Sequence, residues 1–177
     1  MAKEAKTLMM KAHFQTFAAY NAWANTRLYD VCAQLPDDEY KKVRPAFFKS
    51  LHGTLNHILV GDRIWLARLR GEEHEPPPLD TELYEDLASL RAARIEQDAA
   101  IAAFVDGLNE GQFASLTVYR NMSGGEFRDR IGEILAHVFN HQTHHRGQIH
   151  DQLSQTSVEP LPLDLIYFRR LRERGEA

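Results

Sequence analysis

Apolar residues recur at helical spacing through most of this 177-residue chain, and the pattern predicts four long amphipathic helices. Pro36 ends the first of these runs, Ser50 is a suitable N-cap for the second, and Gly71 is suited to close it. The third run begins at Asp80 or Thr81. The four helices are predicted at residues 4–35, 50–69, 80–107 and 126–153.

The segments between these helices differ in length. Residues 75–78 form a stiff Glu-Pro-Pro-Pro connector, and residues 115–119 are suited to a short extended piece. The connections over 35–50 and 108–126 are longer than turns between neighbouring helices need, so they permit crossovers. A short amphipathic segment is predicted at 163–171. The pattern predicts an all-α four-helix bundle, with simple up-down-up-down order not assumed.

Composition narrows the class of protein. With 44% hydrophobic and 26% charged residues, the chain is expected to form a single globular domain over residues 1–177. A net charge of −4 gives no reason to expect a nucleic-acid partner. We expect no membrane span and no signal peptide, because no apolar run is long enough. Cys32 is the one cysteine, so a reducing, cytoplasmic location is expected.

Histidines are concentrated in the fourth predicted helix, where five of the nine in the chain fall between residues 137 and 150. His137, His141 and His145 step by four, so they lie above one another on a helix. Neutral imidazole is the commonest protein ligand for a borderline divalent metal ion. The spacing therefore predicts a metal site that takes a further ligand from another part of the chain.

The helical wheel separates these side chains. His141 and His145 lie nearest the apolar stripe of their helix, so they are best placed to reach the interior. His137 lies farther round and is expected at the mouth of the site. His144 is expected to face water or a partner subunit.

The second predicted helix supplies two further candidates, His52 and His57. They are five residues apart and point in different directions, so at most one is expected to face His141 and His145. His57 shares its face with Gly53 and Gly61, whose small size would let the opposing helix approach. Spacing alone leaves a hydrogen-bonded core histidine as an equal alternative for His57.

Several standard metal motifs are absent from the sequence. There is no His-Glu-x-x-His and no repeated Glu-x-x-His, which argues against a zincin protease and a ferritin-like di-iron centre. His13 and His74 have no helpful context and are expected to be surface residues. What remains is a three-histidine site with one or more open positions for water or substrate.

Four segments carry a resemblance to a known family. The chain resembles the DinB (damage-inducible) family within the DinB/YfiT-like metalloenzymes, and the likeness runs over nearly the whole sequence. Its most specific part is His-Val-Phe-Asn-His-Gln-Thr-His-His-Arg-Gly-Gln. The segments lie at residues 20–25, 51–65, 137–148 and 162–168.

This resemblance implies a fold and a site. It implies a four-helix bundle with up-up-down-down order, often as a homodimer. It also implies one divalent ion, zinc or nickel, held by three histidines. Carried onto this chain, the ligands are His57, His141 and His145, and the choice of His57 over His52 rests mainly on the resemblance.

The resemblance also implies chemistry. Relatives transfer or use low-molecular-weight thiols, so the leading hypothesis is a metal-dependent thiol (S-)transferase with a small-molecule substrate and a thiol cosubstrate. A metal ion favours the nucleophilic thiolate. Cys32 is a poor candidate for the nucleophile, because a cysteine in an apolar helical run is usually packed. The alternatives are a hydrolase that uses activated water and a stress-associated metal-binding module without turnover.

Other polar residues have weaker expectations. Asn21 and Asn25 could line the cavity, whereas Trp23 at helical spacing is more often core. Asp62 could orient His57 or form a salt bridge. Arg146 is expected to pair with a carboxylate.

Overall fold

The computed structural model describes the backbone of residues 2–72 and 75–176, and side chains from Met10 onward within those ranges. His74 lies outside the described residues. The helices are α1 (Ala2–Cys32), α2 (Asp37–Tyr40), α3 (Leu51–Arg70), α4 (Leu87–Gly107), α5 (Ile131–Leu153) and α6 (Leu165–Glu173). A short 3-10 helix spans Glu110–Ala114, and two strands follow, β1 (Leu116–Arg120) and β2 (Glu126–Arg130).

The second long helix begins and ends as its sequence predicts. The Ser50 side chain accepts a hydrogen bond from Gly53 N, which satisfies one free N–H of the first turn. Gly71 ends the helix with φ 68°, a left-handed conformation that glycine adopts without strain. These two caps fix the two ends of α3, the helix that carries His52 and His57.

The predicted start of the third helix at Asp80 or Thr81 is wrong. The helix begins at Leu87, because the Asp86 side chain caps it by accepting from Ser89 N at 2.8 Å. The preceding segment is instead fastened to α3, where Asn56 Oδ1 accepts from Tyr84 N at 3.1 Å. This hydrogen bond keeps the backbone around Tyr84 against α3 in a non-helical conformation.

The structure contains a β-hairpin that the all-α prediction did not include, although the extended piece predicted at residues 115–119 coincides with most of β1. Because residues 126–130 form the second strand, the predicted start of the fourth helix at residue 126 is wrong. β2 pairs antiparallel with β1, and Tyr119 stacks on Phe127 with ring centroids 5.9 Å apart. Gly124 takes φ 82° in the connecting turn. Helix α5 therefore starts only at Ile131, whose N–H donates to Ser115 O at 3.0 Å.

Helix directions follow from the residues that meet across the packed pairs. α1 runs antiparallel to α4 and parallel to α5, while α3 runs antiparallel to α5. The order along the chain is up-down-down-up, which differs from the implied up-up-down-down order. Between α1 and α4 the contacting pairs are Asp30–Arg91 and Gln15–Asp106. Between α1 and α5 they are Phe14–Phe139 and Asn21–Arg146. Between α3 and α5 they are Thr54–Gln152 and Trp65–His137.

The crossover lies in a connection other than the two that the sequence suggested. α3 and α4 run in the same direction, so the chain must return along the molecule between them. The described part of this connection from residue 75 onward contains the stiff Pro76-Pro77-Pro78 segment. Residues 35–50 instead hold α2 and a compact loop, and residues 108–126 lead into the hairpin. Both long connections are filled by local structure.

Two large apolar clusters fill the interior, one toward each end of the long helices. Between them lies a layer of buried polar side chains contributed by α1, α3, α4 and α5. The members of this polar layer are Asn21, Asn25, His57, Asp62, Arg94, Asp98, Gln142, His145 and Arg146. Among the described residues, no helix has both the length and the apolar character that crossing a bilayer requires.

Candidate metal centre

Three histidine side chains from two helices converge at one point. His57 and His145 belong to the polar layer, and His141 is half-buried beside them. Nε2 of His57 lies 3.2 Å from Nε2 of His141 and 3.1 Å from Nε2 of His145. The third side of this triangle, between His145 and His141, measures 3.0 Å. We call this group the histidine triad; it contains the predicted pair on α5 and the predicted partner on α3.

The triangle has the size that a tetrahedral metal site requires. Zinc–imidazole bonds of about 2.0–2.1 Å place the ligand nitrogens of a tetrahedron about 3.3 Å apart. The observed separations of 3.0–3.2 Å lie close to that value. The triad supplies three of the four positions of a tetrahedral site.

Hydrogen bonds fix the tautomer of two of the three rings. His57 Nδ1–H donates to the Leu79 carbonyl at 2.8 Å, and His145 Nδ1–H donates to Gln148 Oε1 at 2.8 Å. Both rings therefore present an unprotonated Nε2 toward the same point. Two lone pairs 3.1 Å apart repel unless a cation lies between them, so the donor set fits a metal ion. His141 Nδ1 finds no hydrogen-bond partner among the described residues.

The environment keeps all three rings neutral. Burial lowers the pKa of His141 to about 3, with further lowering from the neighbouring His145 and His57. Burial also lowers the pKa of His145 to about 4 and lowers the pKa of His57. The neutral form is the one that binds metal, so the rings are in their ligand state near pH 7.

Gly61 makes room for the ring of His141. A methyl carbon placed on Gly61 would lie 3.0 Å from His141 Cε1, which is tighter than ordinary van der Waals contact. The close approach of α3 and α5 at the triad therefore depends on this glycine, as the small residues on the His57 face had suggested.

We expect the substitution Gly61→Ala to weaken binding of a divalent ion by about tenfold, because the added methyl displaces a ligand by a few tenths of an ångström. Isothermal titration with Zn²⁺ would measure this. Gly147→Ala is the matched control: a methyl there meets no described atom within 4 Å. That variant should keep its affinity and gain about 0.5–1 kcal/mol of stability. Equal affinities in the two variants would contradict the expectation.

The other histidines near the site have different surroundings. His52 is buried beside Tyr40 and Asn56, with Nδ1 3.0 Å from Tyr40 Oη and Nε2 3.2 Å from Asn56 Nδ2. It is the hydrogen-bonded core histidine of α3. His137 packs edge-on against Trp65 at 4.8 Å, outside the triad.

His144 and Cys32 complete the account of the predicted candidates. His144 is exposed on α5 and accepts from Gln148 Nε2 at 3.1 Å, so it contacts the residue that orients His145. Cys32 is fully buried, and this burial raises the pKa of its thiol to about 12. A buried, protonated thiol is not a nucleophile.

Two of the weaker predictions are resolved by the polar layer. Asp62 forms a salt bridge with Arg94 at 2.5 Å. The polar partners of the His57 ring are Leu79, His141 and His145 instead of Asp62. Burial raises the pKa of Asp62 to about 6, although the Arg94 guanidinium acts against this.

Arg146 does not bind a carboxylate directly, so the prediction that it pairs with a carboxylate is wrong. It donates instead to the amide oxygens of Asn21 and Gln142 at 2.5 and 3.0 Å.

The predicted cavity-lining asparagines belong to the same network. Asn25 donates to Gln142 Oε1 at 3.1 Å, and Gln142 donates to Asp62. Because Gln142 follows His141 in sequence, this network ties the ligand-bearing turn of α5 to α1, α3 and α4. Trp23 is half-buried and packs against Phe168 of α6 at 5.5 Å.

Sequence reasoning missed three contributors to the site: the Leu79 carbonyl, Gln148 and Phe48. A backbone carbonyl carries no sequence signal. Gln148 could have been found, because it lies one helical turn after His145 and could reach its ring. Phe48, which stacks on His57 with centroids 3.7 Å apart, lies in a loop whose path the pattern does not indicate.

Comparison with known proteins gives consistent results. A model of the DinB family matches residues 9–176. The chain is 26% identical over 154 residues to Protein DinB of Bacillus subtilis (strain 168), a match that covers 82% of this chain and 87% of that protein. The fold is similar to the crystal structure of a DinB-like protein from Bacillus cereus ATCC 10987. That match has a TM-score of 0.61 and 16% identity, and it covers 82% of this chain and 94% of the other.

Proposed function

This chain belongs to the DinB family, and from that premise and the histidine triad we propose that it is a metal-dependent thiol transferase. The observation that carries the proposal is the convergence of three imidazole Nε2 atoms within 3.0–3.2 Å of one another. His57, His141 and His145 would hold one divalent ion. Zinc and nickel are the favoured occupants, because imidazole suits both.

The ligand set supports this chemistry through its charge. A divalent ion held by neutral ligands lowers the pKa of a thiol or a water molecule in its open position. The chain's own contribution is to keep His57 and His145 neutral and oriented through Leu79 and Gln148. The triad therefore offsets none of the ion's positive charge.

The protein's own thiol does not serve as the nucleophile in this proposal. Cys32 is fully buried, and its high pKa keeps it protonated near pH 7. A thiol-transfer reaction would therefore need a thiol from solution. This supports a low-molecular-weight thiol as cosubstrate and an electrophilic small molecule as its acceptor.

Protein loaded with one equivalent of Zn²⁺ or Ni²⁺ should accelerate conjugation of a cellular thiol with a chromogenic aryl halide. The new bond joins sulfur to the aryl carbon, halide leaves, and the thiol proton passes to buffer. The rate should exceed that of thiol and metal without protein. This excess should disappear in the variant His145→Ala. His150→Ala, which changes an exposed histidine of the same helix, should retain it.

Two other outcomes would replace the proposal. Turnover of an ester or amide without thiol would favour a metal-dependent hydrolase. Stoichiometric metal binding without acceleration across several thiols and electrophiles would favour a non-catalytic metal-binding module.

A further inference from the structure

The side chain of Phe48 covers one face of the His57 ring. The two rings are nearly parallel, with centroids 3.7 Å apart and planes inclined by 16°. The same phenyl ring meets His145 edge-on at 5.6 Å. Its neighbour Phe47 is 86% exposed, so of these two adjacent phenylalanines Phe48 is the one that faces the triad.

The loop that carries Phe48 has a strained backbone. Lys49 adopts φ 65°, a left-handed conformation in which a side chain crowds the following carbonyl. Two hydrogen bonds close the loop around it: Lys49 N donates to Ala46 O at 2.9 Å, and Arg44 N donates to Lys49 O at 2.6 Å. Strain of this kind persists where the surrounding contacts over-determine it, and it often marks a functional position.

The first turn of α3 holds the backbone of Phe48 directly. Ser50 N donates to Phe48 O at 2.7 Å. A methyl carbon placed on Gly53 would lie 2.3 Å from that same oxygen, so the turn accepts no side chain there. Because His57 lies on the same helix, the phenyl ring and the ligand ring belong to one rigid unit.

A single hydrogen bond does not fix the plane of an imidazole. The χ2 torsion of histidine is broad, so the bond from His57 Nδ1 to Leu79 O restrains one atom and leaves the ring free to tilt. A flat aromatic face in contact with the ring removes that tilt. Leu79 and Phe48 together determine both the direction and the plane of the ligand.

We propose that Phe48 is a positioning residue for His57, and that it fixes the imidazole plane so that Nε2 faces the other two histidines. The inference rests on the proposed binding of a metal ion by the triad. It assigns a function to the strained loop over residues 44–50.

Metal affinity provides the first test. Phe48→Leu keeps the bulk and removes the flat face, so its affinity for Co²⁺ should fall about tenfold in competition with a chelator. The Co²⁺ absorption bands should also shift. Phe48→Tyr keeps a flat ring and should bind like the wild type, as should the control Phe47→Leu. Wild-type affinity and spectrum in Phe48→Leu would overturn the proposal.

A second measurement needs no metal. In the metal-free protein, nitrogen-detected NMR of the imidazoles should show a single Nδ1–H tautomer for His57. Phe48→Leu should broaden that signal or mix the tautomers, while Phe47→Leu leaves it unchanged. An unaltered His57 signal in Phe48→Leu would overturn the role of Phe48. If the wild type binds no Co²⁺, the proposed function fails, and this measurement still decides the role of Phe48.

Discussion

Replacing His145 by alanine will remove stoichiometric binding of a divalent ion. Loss of a residue that only orients a ligand typically lowers metal affinity by about 10–100-fold, and loss of a ligand itself should exceed the upper value. The three Nε2 atoms of the triad lie 3.0–3.2 Å from one another, and the variant keeps only two of them as donors to the ion. Elemental analysis after dialysis and Zn²⁺ titration would measure the loss.

The matched control for this prediction is His150→Ala. His150 is an exposed histidine near the end of the same helix, so the variant removes an imidazole without touching the triad. It should bind one equivalent with wild-type affinity. If both variants lose the ion equally, binding depends on surface histidines, and the triad is not the site.

The second large effect is expected from Arg94→Leu in the polar layer. Arg94 is 2% exposed and lies between two buried carboxylates, with nitrogen–oxygen distances of 2.5 Å to Asp62 and 2.9 Å to Asp98. Removing the cation leaves both carboxylates buried without their ion-pair partner, although amide donors from Gln142 and Asn25 still contact them. The free energy of unfolding should fall by about 3–5 kcal/mol. Urea denaturation of the metal-free protein would measure it.

The same helix provides an exposed ion pair as the control. Arg91 pairs with Asp30 at the surface, so Arg91→Leu should change the free energy of unfolding by less than about 1 kcal/mol. The loss in Arg94→Leu should also be smaller at pH 5 than at pH 8. Burial without a cation raises the pKa of a carboxyl, so acid neutralises the group in the folded protein and restores stability. Equal losses in the two arginine variants would contradict this account.

The sequence predicted the two α5 members of the histidine triad through local geometry. His141 and His145 are one helical turn apart on the inward side, and periodicity alone places them together. His57 was harder to assign, because both it and His52 lie on α3 and both are buried. The feature that separates them is Gly61, one turn after His57, which admits the opposing ring.

The errors in the helix boundaries arise from pairing with other segments of the chain, one in a hairpin and one across a longer separation. Residues 126–130 form a strand because their partner strand lies ten residues earlier and the turn contains Gly124. Residues 80–86 have helical composition, but α3 binds the backbone of this stretch at Tyr84 through Asn56 and the backbone just before it at Leu79 through His57. Such tertiary hydrogen bonds override local propensity and leave no periodic trace in the sequence.

The two ligand-bearing helices are far apart along the chain. His57 precedes His141 by 84 positions, so an unfolded chain holds the ligands at no fixed separation. A polypeptide without α5 carries one member of the triad, His57, so it cannot form the proposed site. Ion binding by the triad would therefore require α3 and α5 to be assembled, which couples occupancy of the site to folding.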